Sequence, residues 1–400
     1  MENESADILI SGGGVAGLTA TAAFGAAGFS VICTEPTAPV TDGTAEGADL
    51  RTTAFLRPAQ DFLNRAGVWP RLAPQAMALD TMRIVDAGGE EPVARVSRDF
   101  NASDITDGPF GYNLPNWLIR RVLLERLAEL PNVSFRPGVA TKTLVARTKE
   151  ALIHLSDGAR VRARMVLAAD GRDSPVRKAL SIDARRMDFG QRALTFAVTH
   201  DTPHENVSTE VHRTGGPFTL VPLPDHNGKP CSAVVWMEAE QNAQALLALE
   251  DADFEAAATA RSTGIYGALK LVTRRTSWPI ISQLAERFYG PRTALVAEAA
   301  HVVPPIGAQG LNMSLADLTT LLDLCTASPD ELGEEALLAR YERTRYPDVR
   351  TRVLGVSALN RASMATPAPV RDARALGLRL LHDVNPIRTS LMKLGMGRGN

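Results

Sequence analysis

Ile8-Leu9-Ile10-Ser11-Gly12-Gly13-Gly14-Val15-Ala16-Gly17 is an apolar run that turns at once into a G-x-G-x-x-G loop. The alanine-rich stretch Leu18 to Ala27 follows and reads as a helix, so the loop has the strand before it and the helix after it that a dinucleotide fold requires. Each glycine has its own task. Gly12 allows the tight turn, Gly14 lets the backbone approach a pyrophosphate, and Gly17 lets helix and strand pack closely. The unpaired amides at the helix start, around Val15 and Ala16, join the helix dipole in holding phosphate charge. A second apolar strand, Val31-Ile32-Cys33-Thr34, ends at Glu35, about 20 residues on, where a carboxylate accepts both ribose hydroxyls. A 2′-phosphate would be repelled there, so the nucleotide on this loop is FAD or NAD rather than NADP.

The chain has 400 residues, 43 Lys and Arg against 45 Asp and Glu, and no basic run in its body, which argues against nucleic acid as a partner. This length suggests more than one structural unit and a core large enough to need no disulfide staples. Cys33, Cys231 and Cys325 are scattered without a C-x-x-C pair and read as buried thiols of a reducing compartment. No metal site is expected. No apolar stretch reaches the roughly 20 residues of a membrane span, and the acidic start Met1-Glu2-Asn3-Glu4 is no signal peptide, so the expected location is cytoplasmic. Residues 371–400 stand apart. Six basic side chains against two acidic ones give a net +4, interleaved with Leu376, Leu378, Leu380, Leu381, Ile387, Leu391 and Leu394. Such a segment can lie at the inner face of an anionic membrane, as a peripheral contact, or dock on its own protein. Docking is preferred, because Asn385-Pro386 splits the helix into two short pieces.

Further along, helices are expected from about Pro58 to Arg65 and from Asn116 to Leu130. Residues 80–100 alternate as a hairpin turning at Ala87-Gly88-Gly89-Glu90. A second hairpin spans 144–161, and Met165 to Ala169 is a strand buried on both faces. Between 190 and 285 the texture becomes β-rich, as in Ala233-Val234-Val235-Trp236-Met237. Buried-strand character returns at Thr293 to Ala297, with a helix from about Gly310. The expected class is α/β: a Rossmann-like nucleotide-binding domain of 1–79, 106–180 and 288–345, an inserted antiparallel-sheet substrate domain of 80–105 and 181–287, and a C-terminal helical segment of 346–400.

Strand 165–169 ends in Asp170-Gly171-Arg172-Asp173-Ser174-Pro175-Val176-Arg177, the pattern A-D-G-x-x-S-x-x-R, with Ser174 and Pro175 also placed as N-cap and first residue of a helix. A later stretch runs Ala297-Glu298-Ala299-Ala300-His301, then Pro304-Pro305-Ile306-Gly307-Ala308-Gln309-Gly310-Leu311-Asn312. With these motifs the chain resembles the flavoprotein aromatic hydroxylases of the para-hydroxybenzoate hydroxylase type. Asp170 matches the acid of their motif beside flavin and nicotinamide. Glu298 takes the place of the acid that binds the ribityl chain of FAD, and the loop of Pro305, Gly307, Gln309, Gly310, Leu311 and Asn312 matches the one at the flavin's pyrimidine ring. Two departures stand out. The usual Gly-Asp is Ala297-Glu298, and the usual Ala-Gly before Gln is Gly307-Ala308.

Asp49-Leu50-Arg51-Thr52-Thr53-Ala54 resembles the D-x-R-x-x-A-L whose arginine reaches the flavin pyrophosphate, and Arg120 matches a polar position that touches FAD. Gln191 falls in a match to Y-x-Q-x-A. Gly216-Pro217-Phe218-Thr219-Leu220 resembles a segment on the substrate side of the flavin, and Tyr341-Glu342-Arg343-x-Arg345 resembles a closing Y-E-x-x-R. Read without the resemblance, Arg51 and Arg120 are surface arginines, and Gln191, Pro217 and Phe218 ordinary sheet packing. The set together resembles the ubiquinone-biosynthesis hydroxylase branch. What this implies is an FAD-dependent monooxygenase that uses NADH or NADPH and O2 to hydroxylate a polyprenylated phenol through a flavin C4a-hydroperoxide. No catalytic side chain is assigned, because the flavin carries the chemistry, and Pro217, Phe218, Leu220 and Trp236 are expected to line a pocket for the ring with Gln191. The rivals are a flavin-dependent reductase or dehydrogenase on the same fold, and a non-catalytic flavoprotein scaffold of a biosynthetic complex.

Overall fold

Strand Asn3–Ser11 stands in the middle of a mostly parallel sheet, and Ile8, Leu9 and Ile10 are fully buried there. A strand covered on both faces must be apolar throughout, which is why the run reads as continuous rather than alternating. Its parallel neighbours are Val31–Glu35 on one side and Arg160–Ala168 on the other. Val133–Pro137 extends the first side and Thr293–Leu295 the second. The strand order therefore turns back at Asn3–Ser11, and the carboxyl ends on either side of such a switch point frame a crevice. The computed structural model describes residues 3–87, 93–213, 215–364, 382–383 and 385–397.

A second sheet is built from Thr81–Asp86, Val96–Asn101 and the long strands Ala184–Thr199, Pro217–His226, Lys229–Ala239 and Thr276–Ala285, with Val207–His212 between. Its pairs are antiparallel except Val207–His212 with Thr81–Asp86, which run parallel. The α/β class with an inserted, largely antiparallel sheet is the architecture observed. The turn at 88–90 lies outside the described residues, while its flanking strands pair as a hairpin.

One face of this sheet buries Leu194, Phe196, Phe218, Leu220, Val234 and Trp236 under helices Glu240–Leu247 and Asp251–Arg261, whose Ala243, Phe254 and Ala258 complete the layer. The other face carries Ala193, Met237 and Ile280, and these pack on Ile306 of the loop before the 309–327 helix.

Three features depart from the expected boundaries. Strands Thr52–Leu56, Gly111–Pro115 and Met77–Leu79 form a small third sheet. His301–Val302 pairs with Thr276–Ala285, so it belongs to the second sheet rather than the first. A single helix, Glu335–Met364, runs through the boundary set at 345 with Pro347 inside it. Proline costs a helix one hydrogen bond, but the buried stripe Leu337, Leu338, Tyr341, Val349 and Val353 spans the site and holds both halves in place.

At the C-terminus, 371–381 lie outside the described residues. Asn385–Gly395 is a helix with Asn385-Pro386 at its start, where proline is tolerated. Met392 and Met396 are buried, Gln309 Nε2 donates to the Gly395 carbonyl at 3.1 Å, and Arg388 faces Asp104 at 3.5 Å. These described residues dock on their own chain. Among the described residues no helix is long and apolar enough to cross a membrane. Cys33, Cys231 and Cys325 are all buried, and burial pushes their thiols up to about 12, about 11 and about 12.

Candidate active site

Helix Val15–Ala26 begins directly on the glycine loop. Gly12 has φ +106°, and a Cβ there would strike the Ala169 carbonyl, so only glycine fits. A Cβ on Gly17 would collide with the Gly12 carbonyl oxygen. At Gly14 a Cβ would meet nothing within 4 Å. Of the three motif glycines it alone faces open space, as a backbone that receives a pyrophosphate must. The first turn carries no acidic side chain to compete with a phosphate. Glu35 projects from the next strand and takes the Gly13 amide at 2.6 Å on Oε2 and the Thr37 amide at 3.1 Å on Oε1, so the carboxylate borders the loop. These residues fit the adenosine and pyrophosphate of FAD.

Arg51 and Arg120 meet on one carboxylate. Asp49 receives Arg51 Nε at 2.8 Å and Nη2 at 2.7 Å, Asn116 Nδ2 at 3.0 Å and Arg120 Nη2 at 3.4 Å. Burial alone would raise the Asp49 carboxyl, but Arg51, Asn116 and Arg120 outweigh it and hold it below the usual range. Arg51 also stacks on Trp278 of the second sheet, 4.3 Å from the ring centre. Arg120 Nε is buried with no hydrogen-bond partner among the described residues. The pair is thus a built cationic corner rather than two loose surface arginines.

On the far side of the crevice, Asp170 accepts the Ser174 hydroxyl and the Val176 amide at 3.0 Å, and Ser174 Oγ caps the short helix Pro175–Ala179 through the Arg177 amide. Burial raises the Asp170 carboxyl above its usual range despite those bonds. Arg177, itself buried, donates to the Arg172 carbonyl at 2.9 Å and to the Ala299 carbonyl at 2.8 Å. It pins the turn that bears Asp170 to the turn that bears Glu298. Glu298 in turn receives Arg172 Nε at 3.1 Å.

Both sequence departures fall where the backbone is left-handed. Ala297 has φ +54° and Ala308 φ +55°, both left-handed, a region that costs an alanine roughly 1–2 kcal/mol. Glycine is the natural occupant at each, and the chain keeps the conformation without it. Ala308 is the N-cap of helix Gln309–Ala327, so Gln309, Gly310 and Leu311 supply its first amides. Pro305 and Gly307 are exposed on the same loop. Asn312 is occupied otherwise. Its amide bridges the Leu56 amide, at 2.9 Å, and the Ala54 and Ala308 carbonyls, at 2.8 and 2.6 Å, so it ties the loop to the small sheet. Gln309 Oε1 accepts Arg352 Nη1 at 2.9 Å.

The expected ring pocket needs correction. Phe218, Leu220 and Trp236 face the helices in the sheet's outer core and do not line the crevice. Strand alternation turns the residues between them the other way. Pro217 falls in that other set, and in register with it stand Ala193, Val235, Met237, Trp278 and Ile280. Gln191 is buried on this side, with Nε2 on the Gly215 carbonyl at 2.6 Å and Oε1 taking Asn360 Nδ2 at 2.8 Å.

Two sets of contacts go beyond the motifs. Arg177 closes the quoted A-D-G-x-x-S-x-x-R, but its two carbonyl partners do not show in that pattern; the other set is a buried triad in which Asp317 accepts His301 Nε2 at 2.6 Å and Arg345 Nε at 2.8 Å. Arg345 belongs to the quoted Y-E-x-x-R, but its partner sits 28 residues away, with nothing in the spacing to announce it.

With that geometry in place, comparison with known proteins is decisive. Residues 5–354 match the FAD-binding domain family. The chain belongs to that family. It is 32% identical over 395 residues to the ubiquinone hydroxylase UbiL of Rhodospirillum rubrum, covering 98% of this chain and 90% of that one. It is 24% identical to the 3-demethoxyubiquinol 3-hydroxylase of Escherichia coli, over 99% and 100% of the two chains. The crystal structure of p-nitrophenol 4-monooxygenase PnpA from Pseudomonas putida superposes with a TM-score of 0.80 at 19% identity and covers both chains completely, a likeness of fold. The family makes this chain an FAD-dependent monooxygenase, with NAD(P)H its typical electron donor.

Proposed function

We propose that the protein hydroxylates the aromatic ring of a prenylated phenol in ubiquinone biosynthesis. The observation that carries this reading is the apolar sheet face of Ala193, Met237 and Ile280 meeting Ile306 of the flavin loop. It gives a ring somewhere dry to lie beside the cofactor, and the two relatives named as ubiquinone-pathway hydroxylases support the choice of ring. The nucleotide sheet holds FAD in this reading and the second sheet the substrate.

The division of labour follows from the residues. Bound FAD, reduced by a nicotinamide, supplies the activation of dioxygen. The chain's own groups bind, orient and dry the site. Gly14 and the amides of Val15 and Ala16 take the pyrophosphate, Glu35 the ribose, and Arg51 and Arg120 give the crevice its positive wall. Amides of Gln309, Gly310 and Leu311 present the positive end of a helix where reduced flavin is negative. Ile306, Met237 and Ile280 exclude water. The described part of the C-terminus is docked, so the membrane reading of 371–400 rests on its undescribed cations, and we propose it only as a peripheral aid in reaching a lipid-held phenol.

The test is incorporation of isotopically heavy dioxygen. The purified chain, loaded with FAD, is given NADH or NADPH and a prenylated phenol, and the product is weighed by mass spectrometry. One heavy oxygen atom on the ring is expected. Nicotinamide oxidation with no labelled product would overturn the reading in favour of a reductase, and a chain that retains no flavin would put the scaffold first.

A further inference from the structure

Arg172 sits in a variable position of its motif, yet its backbone is held from two sides. Its carbonyl accepts Arg177 Nη2 at 2.9 Å and Gln283 Nε2 at 2.8 Å, the latter from the second sheet. The side chain that leaves this fixed point reaches Glu298 in a fork, Nε to Oε2 at 3.1 Å and Nη2 to Oε1 at 3.4 Å. The Arg172 side chain is 23% exposed and that of Glu298 46%. An ion pair this open contributes little to stability, so the fold does not depend on it. Its geometric effect is larger. A half-exposed glutamate on its own samples several rotamers, and the guanidinium fork selects one.

The fork also answers a problem of charge. A free carboxylate beside the nucleotide would repel the pyrophosphate and the anionic reduced flavin, while one neutralised by a guanidinium keeps its lone pairs as acceptors without the net charge. The longer glutamate arm and Arg172 therefore act together. We propose that Arg172 is a positioning residue that holds the Glu298 carboxylate ready to accept a hydroxyl from the ribityl chain of FAD, an inference that rests on the contact between Glu298 and FAD that the family resemblance implies.

FAD dissociation constants, measured by quenching of flavin fluorescence, test this in wild type, Arg172→Met, Arg172→Lys, Glu298→Ala and the Arg172→Met/Glu298→Ala pair. Thermal unfolding without FAD is followed alongside. Arg172→Met is expected to weaken FAD binding about tenfold, a typical coupling for a charge-assisted pair, with the unfolding temperature unchanged. Arg172→Lys should recover part of the loss, and the double variant should bind no worse than Glu298→Ala. Wild-type affinity in Arg172→Met beside a weakened Glu298→Ala would overturn the role of Arg172. So would a loss in Arg172→Met that the double variant adds to in full. Unchanged affinity in Glu298→Ala would instead remove the Glu298 contact on which the inference rests.

Discussion

Gly14 and Gly17 are three residues apart in one motif and fail for opposite reasons when substituted. A methyl group on Gly17 lands on the Gly12 carbonyl, so Gly17→Ala forces the helix off its strand. It should cost about 1–3 kcal/mol by overpacking and show in urea unfolding of the FAD-free protein. A methyl group on Gly14 meets no protein atom. Gly14→Ala should unfold like wild type and lose FAD affinity, as read by fluorescence titration, because the added group occupies the place of the pyrophosphate. Equal unfolding midpoints for the two variants would contradict this division. The glycine pattern is legible in sequence because a backbone constraint admits only one residue type. Ala297 and Ala308 mark the limit of that rule, since each stands in a left-handed conformation where glycine would be the sequence-level choice.

Three separate elements meet at Asp317. The 309–327 helix contributes the carboxylate, the 335–364 helix Arg345, and the short strand His301–Val302 the imidazole. Asp317 is completely buried. Burial alone would raise its carboxyl, while the charges and hydrogen bonds of His301 and Arg345 turn the balance and hold it below the usual range. A carboxyl lowered on folding adds stability above its unfolded value of about 3.9, and that contribution is lost as pH falls through the lowered folded value. Asp317→Asn leaves Arg345 without its buried counter-charge and should cost about 3–5 kcal/mol near neutral pH. Denaturant melts repeated from pH 7 downward should show a shallower acid loss in the variant than in wild type; parallel curves would refute the assignment. The helices themselves were readable from their apolar stripes. The triad was not, since periodicity reports which face is buried and not which partner waits there.

For the whole molecule, polar contacts tie together the elements around the crevice. Arg177 joins the turns that follow two neighbouring strands of the first sheet, with one guanidinium on two carbonyls more than a hundred residues apart. Gln283 reaches the same Arg172 carbonyl, Asn113 donates to the Pro222 carbonyl at 2.9 Å, and Arg274 to the Ala48 carbonyl at 2.7 Å. Arg177→Met keeps the length of the side chain and removes the bonds. It should cost about 1–3 kcal/mol for the Ala299 carbonyl that loses its donor, while the Arg172 carbonyl keeps Gln283, and hydrogen exchange should quicken at 171–174 and 297–301 together. Faster exchange in one turn alone would deny the clamp. The α/β class, the nucleotide loop with its partner acid, and the order of the motifs are legible in the residues, because they depend on local backbone geometry and hydrophobic period. Which face of the second sheet meets the loop before the 309–327 helix emerges on folding, and there Met237 and Ile280 stand where Phe218, Leu220 and Trp236 were expected. Both faces of that sheet are apolar, and alternation alone cannot distinguish two buried layers. What separates them is the arrival of helices on one side and of Ile306 on the other.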